Sequence, residues 1–242
     1  METEKIGDLI INGNGSTAGG TFQKVRLNGN GKVNGDIECL DFESNGSSKL
    51  EGKLIAKNTV INGSGKFLGD VTSEQIRVHG SSKIEGTLSF KYLEVKGASK
   101  VTGAVKGEKL FVAGTLSVGE DCEAEEANFQ GGFTIDGLLN ADKITVRLHG
   151  RSIVREIGGE TIKVTKASST ILGLERFIKV LSRELVADVI EGDLVELEYT
   201  KAKVVRGNII KLGLGCEIDL VEYKDELQIN KQAVVKESIK ID

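Results

Sequence analysis

From residue 29 to residue 146 the apolar positions of the chain fall in a fixed seventeen-residue frame. Val33, Leu50, Phe67, Ile84, Val101, Val118 and Ile135 form one column, and Ile37, Leu54, Val71, Leu88, Val105, Cys122 and Leu139 a second. Phe42, Thr59, Ile76, Leu93, Leu110, Ala127 and Ile144 form a third, and Ser44, Ile61, Val78, Val95, Val112, Phe129 and Val146 a fourth. Within one period these sites fall in two runs of even spacing, Val33 to Ile37 and Phe42 to Ser44, with an odd step between them, and each run has the alternation of a strand and not of a helix. One period is therefore a coil of two or three short strands divided by bends. A lone coil cannot bury its inner face, but a stack of similar coils buries it from above and below. The pattern predicts an all-β protein, a parallel β-helix (β-solenoid) whose equivalent residues lie about 4.8 Å apart along the axis.

Glycines mark the same frame. Gly29, Gly46, Gly63, Gly80, Gly97, Gly114 and Gly131 keep the period without a slip, and Gly35, Gly52, Gly69, Gly86, Gly103 and Gly137 follow six residues behind. The residue before the first column is Asn at 12, 28, 45 and 62, then His79, Lys96, Ala113 and Gln130. Asn-Gly tolerates positive φ and predicts a turn at this corner. The stacked Asn side chains predict a hydrogen-bonded ladder. Lys32, Lys49, Lys66, Lys83 and Lys100 form an outward basic column, with Glu51 and Glu85 two residues beyond a lysine and placed to offset some of its repulsion.

From Ala187 the chain reads in fifteens. Ile190, Val205, Leu220 and Val235 share a column, as do Leu197, Leu212 and Leu227, and Tyr199, Leu214 and Ile229; the turn at Gly192 and Gly207 becomes Glu222 and Glu237. Between the two rhythms, Ser168, Ser169 and Thr170 offer helix caps, and Ile171, Leu174, Ile178, Leu181 and Leu185 recur at helical spacing, with Phe177 beside them. The expected organisation is a solenoid over 7–165, an amphipathic helical insertion over 166–186 and a second solenoid segment with shorter coils over 187–242. The helical stripe Ile171, Leu174, Phe177, Ile178, Leu181 and Leu185 packs on the solenoid as a lid or meets a partner or a membrane surface.

Composition narrows the function classes. Apolar residues make up 39% of the chain and aromatic ones 5%, with no Trp, so the core is built of Val, Ile and Leu. Thirty-one glycines without one proline are positional and not those of a flexible linker. A net charge of −4 argues against a nucleic-acid binder. Cys39, Cys122 and Cys216 stand far apart, which suits a reducing compartment and neither a disulfide framework nor a zinc site. The N-terminal residues show no basic-then-apolar leader, and no apolar run approaches the length of a membrane span.

Three motifs mimic chemistry. Gly29-x-Gly31 with Gly35, and Gly63-x-Gly65 with Gly69, imitate a phosphate-binding loop, but each leads into another strand where the fingerprint needs a helix. His79 and His149 occupy the corner column used by Asn and Lys, without a carboxylate at a spacing that would orient either as a base. Glu120, Asp121, Glu123, Glu125 and Glu126 alternate outward around Cys122, Ala124, Ala127 and Phe129, which is a solvated face and not a calcium loop. No catalytic, cofactor-binding or metal-binding residue is assigned, and the chain is read as non-enzymatic.

The units GNGKVNGDI (29–37), GSSKLEGKL (46–54) and GSSKIEGTL (80–88) resemble those of the bactofilins, polymer-forming bacterial cytoskeletal proteins. The resemblance covers about residues 7 to 150, and residues 191–223 look like the C-terminal part of longer, two-segment members found in Gram-positive bacteria. It implies a right-handed β-helix assembling end to end into non-polar filaments without nucleotide. It also implies cytoplasmic or peripheral inner-membrane scaffolding of cell shape, motility or envelope machinery, with itself or a paralogue as partner. The residues add a candidate interface. Ile6, Leu9 and Ile11 alternate in strand register ahead of Gly13, with only a short polar lead before them, and are expected to form the chief self-association face. Glu222 and Glu237 are expected to protect the other end. The competing classes are a monomeric solenoid binding module and a solenoid enzyme of the acyltransferase or lyase type.

Overall fold

A computed structural model describes residues 7–167 and 183–242. The fold is an all-β parallel solenoid, 77% strand, without a helix among the described residues. The chain divides into two compact units, one ending at Glu120 and the other starting at Asp121.

In the first unit, β1 (Leu9–Ile11), β2 (Asn14–Leu27) and β3 (Asn30–Ser44) lead into two stacks. One stack holds the short strands β4 (Ser47–Leu50), β6 (Ser64–Phe67), β8 (Ser81–Ile84), β10 (Ala98–Val101) and β12 (Thr115–Val118). The other holds β5 (Leu54–Ile61), β7 (Val71–Val78), β9 (Leu88–Val95) and β11 (Val105–Val112). All pairings are parallel and in register, so that Lys32 faces Lys49, then Lys66, Lys83 and Lys100 in turn. The expected core is the observed one: every residue of the four apolar columns named above is at most 2% exposed. Phe67 and Val101 flank Ile84 on either side.

Further inward positions hold small residues: Gly31, Ser48, Gly65, Ser82 and Ser99 are buried. The hydroxyls buried there bond one another, Ser44 to Ser48 at 2.8 Å, Ser82 to Ser99 at 2.8 Å and Thr59 to Ser73 at 3.0 Å, which removes the penalty of leaving them dry.

The glycine corner forms for a reason other than the expected one. Of that column only Gly13 has positive φ. At Gly29, Gly46, Gly63, Gly80, Gly97 and Gly114, a Cβ would overlap the carbonyl oxygen of the glycine one coil below. Backbone stacked on backbone excludes the side chain, and turn conformation does not. The Asn ladder is present as expected: Asn28, Asn45 and Asn62 each donate Nδ2–H to Oδ1 of the Asn below, at 2.8, 2.9 and 2.8 Å.

The second unit stacks β13 (Cys122–Phe129), β14 (Gly132–Leu148), β15 (Ser152–Lys166), β16 (Leu185–Leu197), β17 (Thr200–Leu212), β18 (Glu217–Ile229) and β19 (Val234–Lys240), each parallel to the next. Two expectations need correction here. The fifteen-residue register holds for one step, Ile190 on Val205 and Leu197 on Leu212. Beyond it Val205 faces Val221, not Leu220, and Leu212 faces Ile229, not Leu227. Val235 faces Ile218, and Gly207 faces Tyr223, not Glu222. The cause is extra chain: a turn through Gly215, which has φ +67°, lengthens one coil, and β18 bulges between Tyr223 and Glu226.

Leu185 is the second correction. It is not on a helical stripe but opens β16, fully buried between Ser152 and Thr200. The rest of that stripe, Ile171, Leu174, Phe177, Ile178 and Leu181, lies outside the described residues.

Ile84→Ala is expected to cost about 2–5 kcal/mol, and Ile84→Asp to abolish the β-rich circular dichroism signal by burying an unpaired carboxylate. Gly97→Ala should lower stability by roughly 1–3 kcal/mol through backbone overlap. A normal melting curve for Ile84→Asp would show that this column does not face the core.

Candidate self-assembly surfaces

Leu9 and Ile11 sit directly over Val25 and Leu27 in the register of β1 on β2. Val25 and Leu27 have no exposed surface, whereas Leu9 and Ile11 are only half-buried and Ile10 is 51% exposed. One coil of difference separates a sealed column from a half-sealed one. Among the described residues, β1 pairs with β2 alone, which leaves the backbone groups of its other edge without a strand partner. Ile6 lies outside the described residues.

The last coil of the second unit is less protected than expected. Val234 is 60% and Ile239 41% exposed, while Val235 is half-buried over the sealed Ile218. Of the two expected gatekeepers, Glu222 is held by Arg206, and Glu237 is exposed on the edge strand itself.

The flanks are polar and paired. Glu51 takes Lys49 at 2.8 Å and Lys32 at 3.1 Å, and Glu85 takes Lys83 at 2.8 Å and Lys66 at 3.2 Å. Each glutamate thus joins two lysines of successive coils, and hydrogen bonds from these lysines, led by Lys49 and Lys83, hold both carboxyls below the ordinary value. At a second corner, carboxylates receive backbone N–H groups of the next coil: Asp36 from Lys53 at 2.7 Å, Asp70 from Thr87 at 3.0 Å and Asp121 from Leu138 at 2.8 Å. The Thr87 backbone bond, with help from Lys53, lowers the pKa of Asp70. The sequence pattern did not reveal these caps, because Asp appears in only some of the coils.

The remaining candidates behave as the column frame expects. His79 and His149 are exposed corner residues. The acidic run points outward around buried Cys122, Ala127 and Phe129. All three cysteines are buried, and burial pushes the Cys39 and Cys122 thiols up to about 12, which makes them apolar fillers and poor nucleophiles. A shallow groove of about 560 Å³ in the second unit is floored by Gly158, Gly159, Gly192 and Gly207 and walled by Glu160, Asp193 and Asn208. Its amide and carboxylate are already bonded to each other, Asn208 to Asp193 at 2.9 Å.

Stacked parallel coils, buried columns and apolar terminal edges define a β-solenoid repeat protein. A family model described as "Bactofilin: Polymer-forming cytoskeletal" matches residues 2–89. The uncharacterized protein YhbE of Bacillus subtilis (strain 168) is 55% identical over 236 residues, spanning 96% of this chain and 98% of YhbE. The uncharacterized protein YhbF of the same organism is 42% identical over 106 residues, or 43% of this chain and 42% of YhbF. The chain belongs to the bactofilin family of polymer-forming cytoskeletal proteins. No solved structure matches it significantly. None of the described residues forms a helix long and apolar enough to cross a membrane.

Because the folded carboxyls of Glu43, Glu51, Asp70, Glu85 and Glu196 titrate below their ordinary values, their contribution is complete above those values and is lost as pH falls through the folded ones. The melting temperature should therefore fall below about pH 4.5, and Glu51→Gln with Glu85→Gln should flatten that acid limb. His79→Ala and His149→Ala should leave melting and sizing unchanged. A loss of stability in either would place these side chains in contacts the corner does not offer.

Proposed function

We propose that the protein is a nucleotide-independent, non-enzymatic scaffold that self-associates through the terminal edges of its solenoid, using Ile6, Leu9 and Ile11 on the N-terminal side. The observation that carries this reading is the contrast between half-covered Leu9 and Ile11 and the sealed Val25 and Leu27 beneath them. A second copy laid on β1 would supply the missing strand and the missing half of the apolar column. Joining through this edge alone gives head-to-head pairs. Joining through β19 as well, where Val234 and Ile239 are exposed, gives filaments without polarity. Polymers of this kind would position envelope, shape or motility machinery, the role that family membership supports. The 42% identity to YhbF over 106 residues supports copolymerisation with a related chain as a natural extension.

Leu9→Lys and Ile11→Lys are expected to yield smaller species in light scattering and sizing, with unchanged circular dichroism, and to lose fibres in negative-stain microscopy. Val234→Lys should stop growth at the pair stage. A wild-type protein that remains single at high concentration, with variants indistinguishable from it, would overturn the reading in favour of a monomeric binding module.

A further inference from the structure

The Asn ladder at 12, 28, 45 and 62 has a direction, and within this ladder its direction sets one residue apart. Each Asn above the first donates its side-chain N–H to the oxygen below. The amide nitrogens of Asn28, Asn45 and Asn62 are therefore engaged, and Asn45 gives a second bond to Glu43 at 3.0 Å. Asn12 stands at the accepting end of this ladder, and Asn14, also followed by glycine, takes the same place beneath Asn30 in a separate pair at 2.9 Å. The Oδ1 of Asn12 receives Asn28 at 2.8 Å, while its own Nδ2 donates to no acceptor among the described residues. All four are followed by glycine, whose backbone nitrogen is unhindered, and all four are exposed. The N–H of Gly63 is tied to the Ser44 carbonyl at 3.2 Å, whereas those of Gly13, Gly29 and Gly46 have no acceptor among the described residues.

We propose that Asn12 is the member of this ladder most prone to spontaneous deamidation, and that the ladder protects the three asparagines above it. The Gly13 nitrogen attacks Cγ of Asn12 and loses its proton, the Cγ–Nδ2 bond breaks, and ammonia departs carrying that proton. Water then opens the resulting succinimide at either carbonyl, leaving aspartate or isoaspartate at position 12. One feature of the ladder favours this position: the leaving nitrogen has no ladder bond to surrender. A donor lies on the oxygen where negative charge develops during attack, but Asn28 and Asn45 accept the same kind of bond from the Asn above each. At Asn28, Asn45 and Asn62 departure must break a ladder bond, worth roughly a five-fold rate difference for a bond of ordinary strength.

The products differ in consequence. Aspartate at position 12 still accepts from Asn28 and keeps the ladder. Isoaspartate adds a methylene to the main chain between Ile11 and Gly13 and carries β1 out of register with β2. An effect on polymer growth rests on the assembly reading above, because β1 is the proposed interface; the chemistry at Asn12 does not depend on it.

Peptide mapping of the full-length protein aged at pH 8.5 and 37 °C tests the site. Asn12 should convert at least about five times faster than Asn28, Asn45 and Asn62, the factor set by one hydrogen bond. Equal rates, or faster conversion at Asn62, would refute the selectivity. The ladder's direction is checked separately by melting. Asn12→Asp should melt close to the wild type. Asn45→Asp should melt several degrees lower, because it loses its donor to Asn28 and places a carboxylate against Glu43. Matching losses in the two variants would show that the ladder lacks the proposed direction. Scattering of the aged sample then reports on assembly: Asn12 conversion without loss of polymer would count against β1 as the interface and leave the modification site standing.

Discussion

Parallel stacking in register is the constraint on which this structure depends. A coil of about seventeen residues has no hydrogen-bonding partner within itself and no core of its own. Its N–H and C=O groups are satisfied by the coils on either side, and its apolar residues are covered from the same two directions. Ile84 is sealed because Phe67 and Val101 occupy the same position in adjacent coils. The sequence repeats because each coil must fit two near-copies of itself. The same logic makes a terminal coil deficient by half, as Leu9 and Ile11 are.

Close stacking also explains which residues recur most strictly. At the first corner the main chains approach so closely that a Cβ on Gly97 would meet the Gly80 carbonyl. Glycine is held there by its neighbour and not by its own φ. Beside it the Asn side chains find partners one coil away, at hydrogen-bond distance, because the coil spacing brings equivalent amides together. Where the corner residue changes to His79, Lys96 and Ala113, the ladder ends and the glycines continue. Backbone exclusion is therefore the stricter rule of the two, and the amide ladder an addition to it.

The first unit was legible almost completely, because period and alternation report the same geometry there. Even Thr59 and Ser44 were placed inside by position alone, and their hydroxyls find buried partners. The second unit was less legible. Three coils read as equal in length, yet the turn at Gly215 and the bulge in β18 add residues that leave the apolar spacing nearly unchanged. Val221 could replace Leu220 in the inward column because both are apolar neighbours and only the pairing distinguishes them. Leu185 was misplaced for a related reason: it lies at helical spacing from Leu181 and also begins a strand, and burial between Ser152 and Thr200 decides the matter. The terminal face at β1 was readable as an alternating pattern. The direction of the Asn ladder was not, since which amide donates is a property of side-chain geometry and has no signature in residue order.

In the proposed assembly, what would direct association to the edges is the difference between flank and edge. Along the flanks the outward lysines are drawn onto Glu51 and Glu85 within the same molecule, so that the charged column spends its attraction internally. Such exposed pairs contribute little to stability, but they leave a mixed-charge surface poorly suited to lateral bundling. Large apolar side chains do reach the flank at Leu40 and Ile55, yet Ile55, 51% exposed, is already paired with Glu38 within the sheet. At β1 and β19 apolar exposure coincides with backbone edges that have no strand partner among the described residues. A second molecule at these edges can satisfy hydrogen bonds and bury apolar surface in a single contact, whereas a molecule on the flank gains only the latter. In the proposed assembly, that coincidence favours joining at the edges over joining across the flanks.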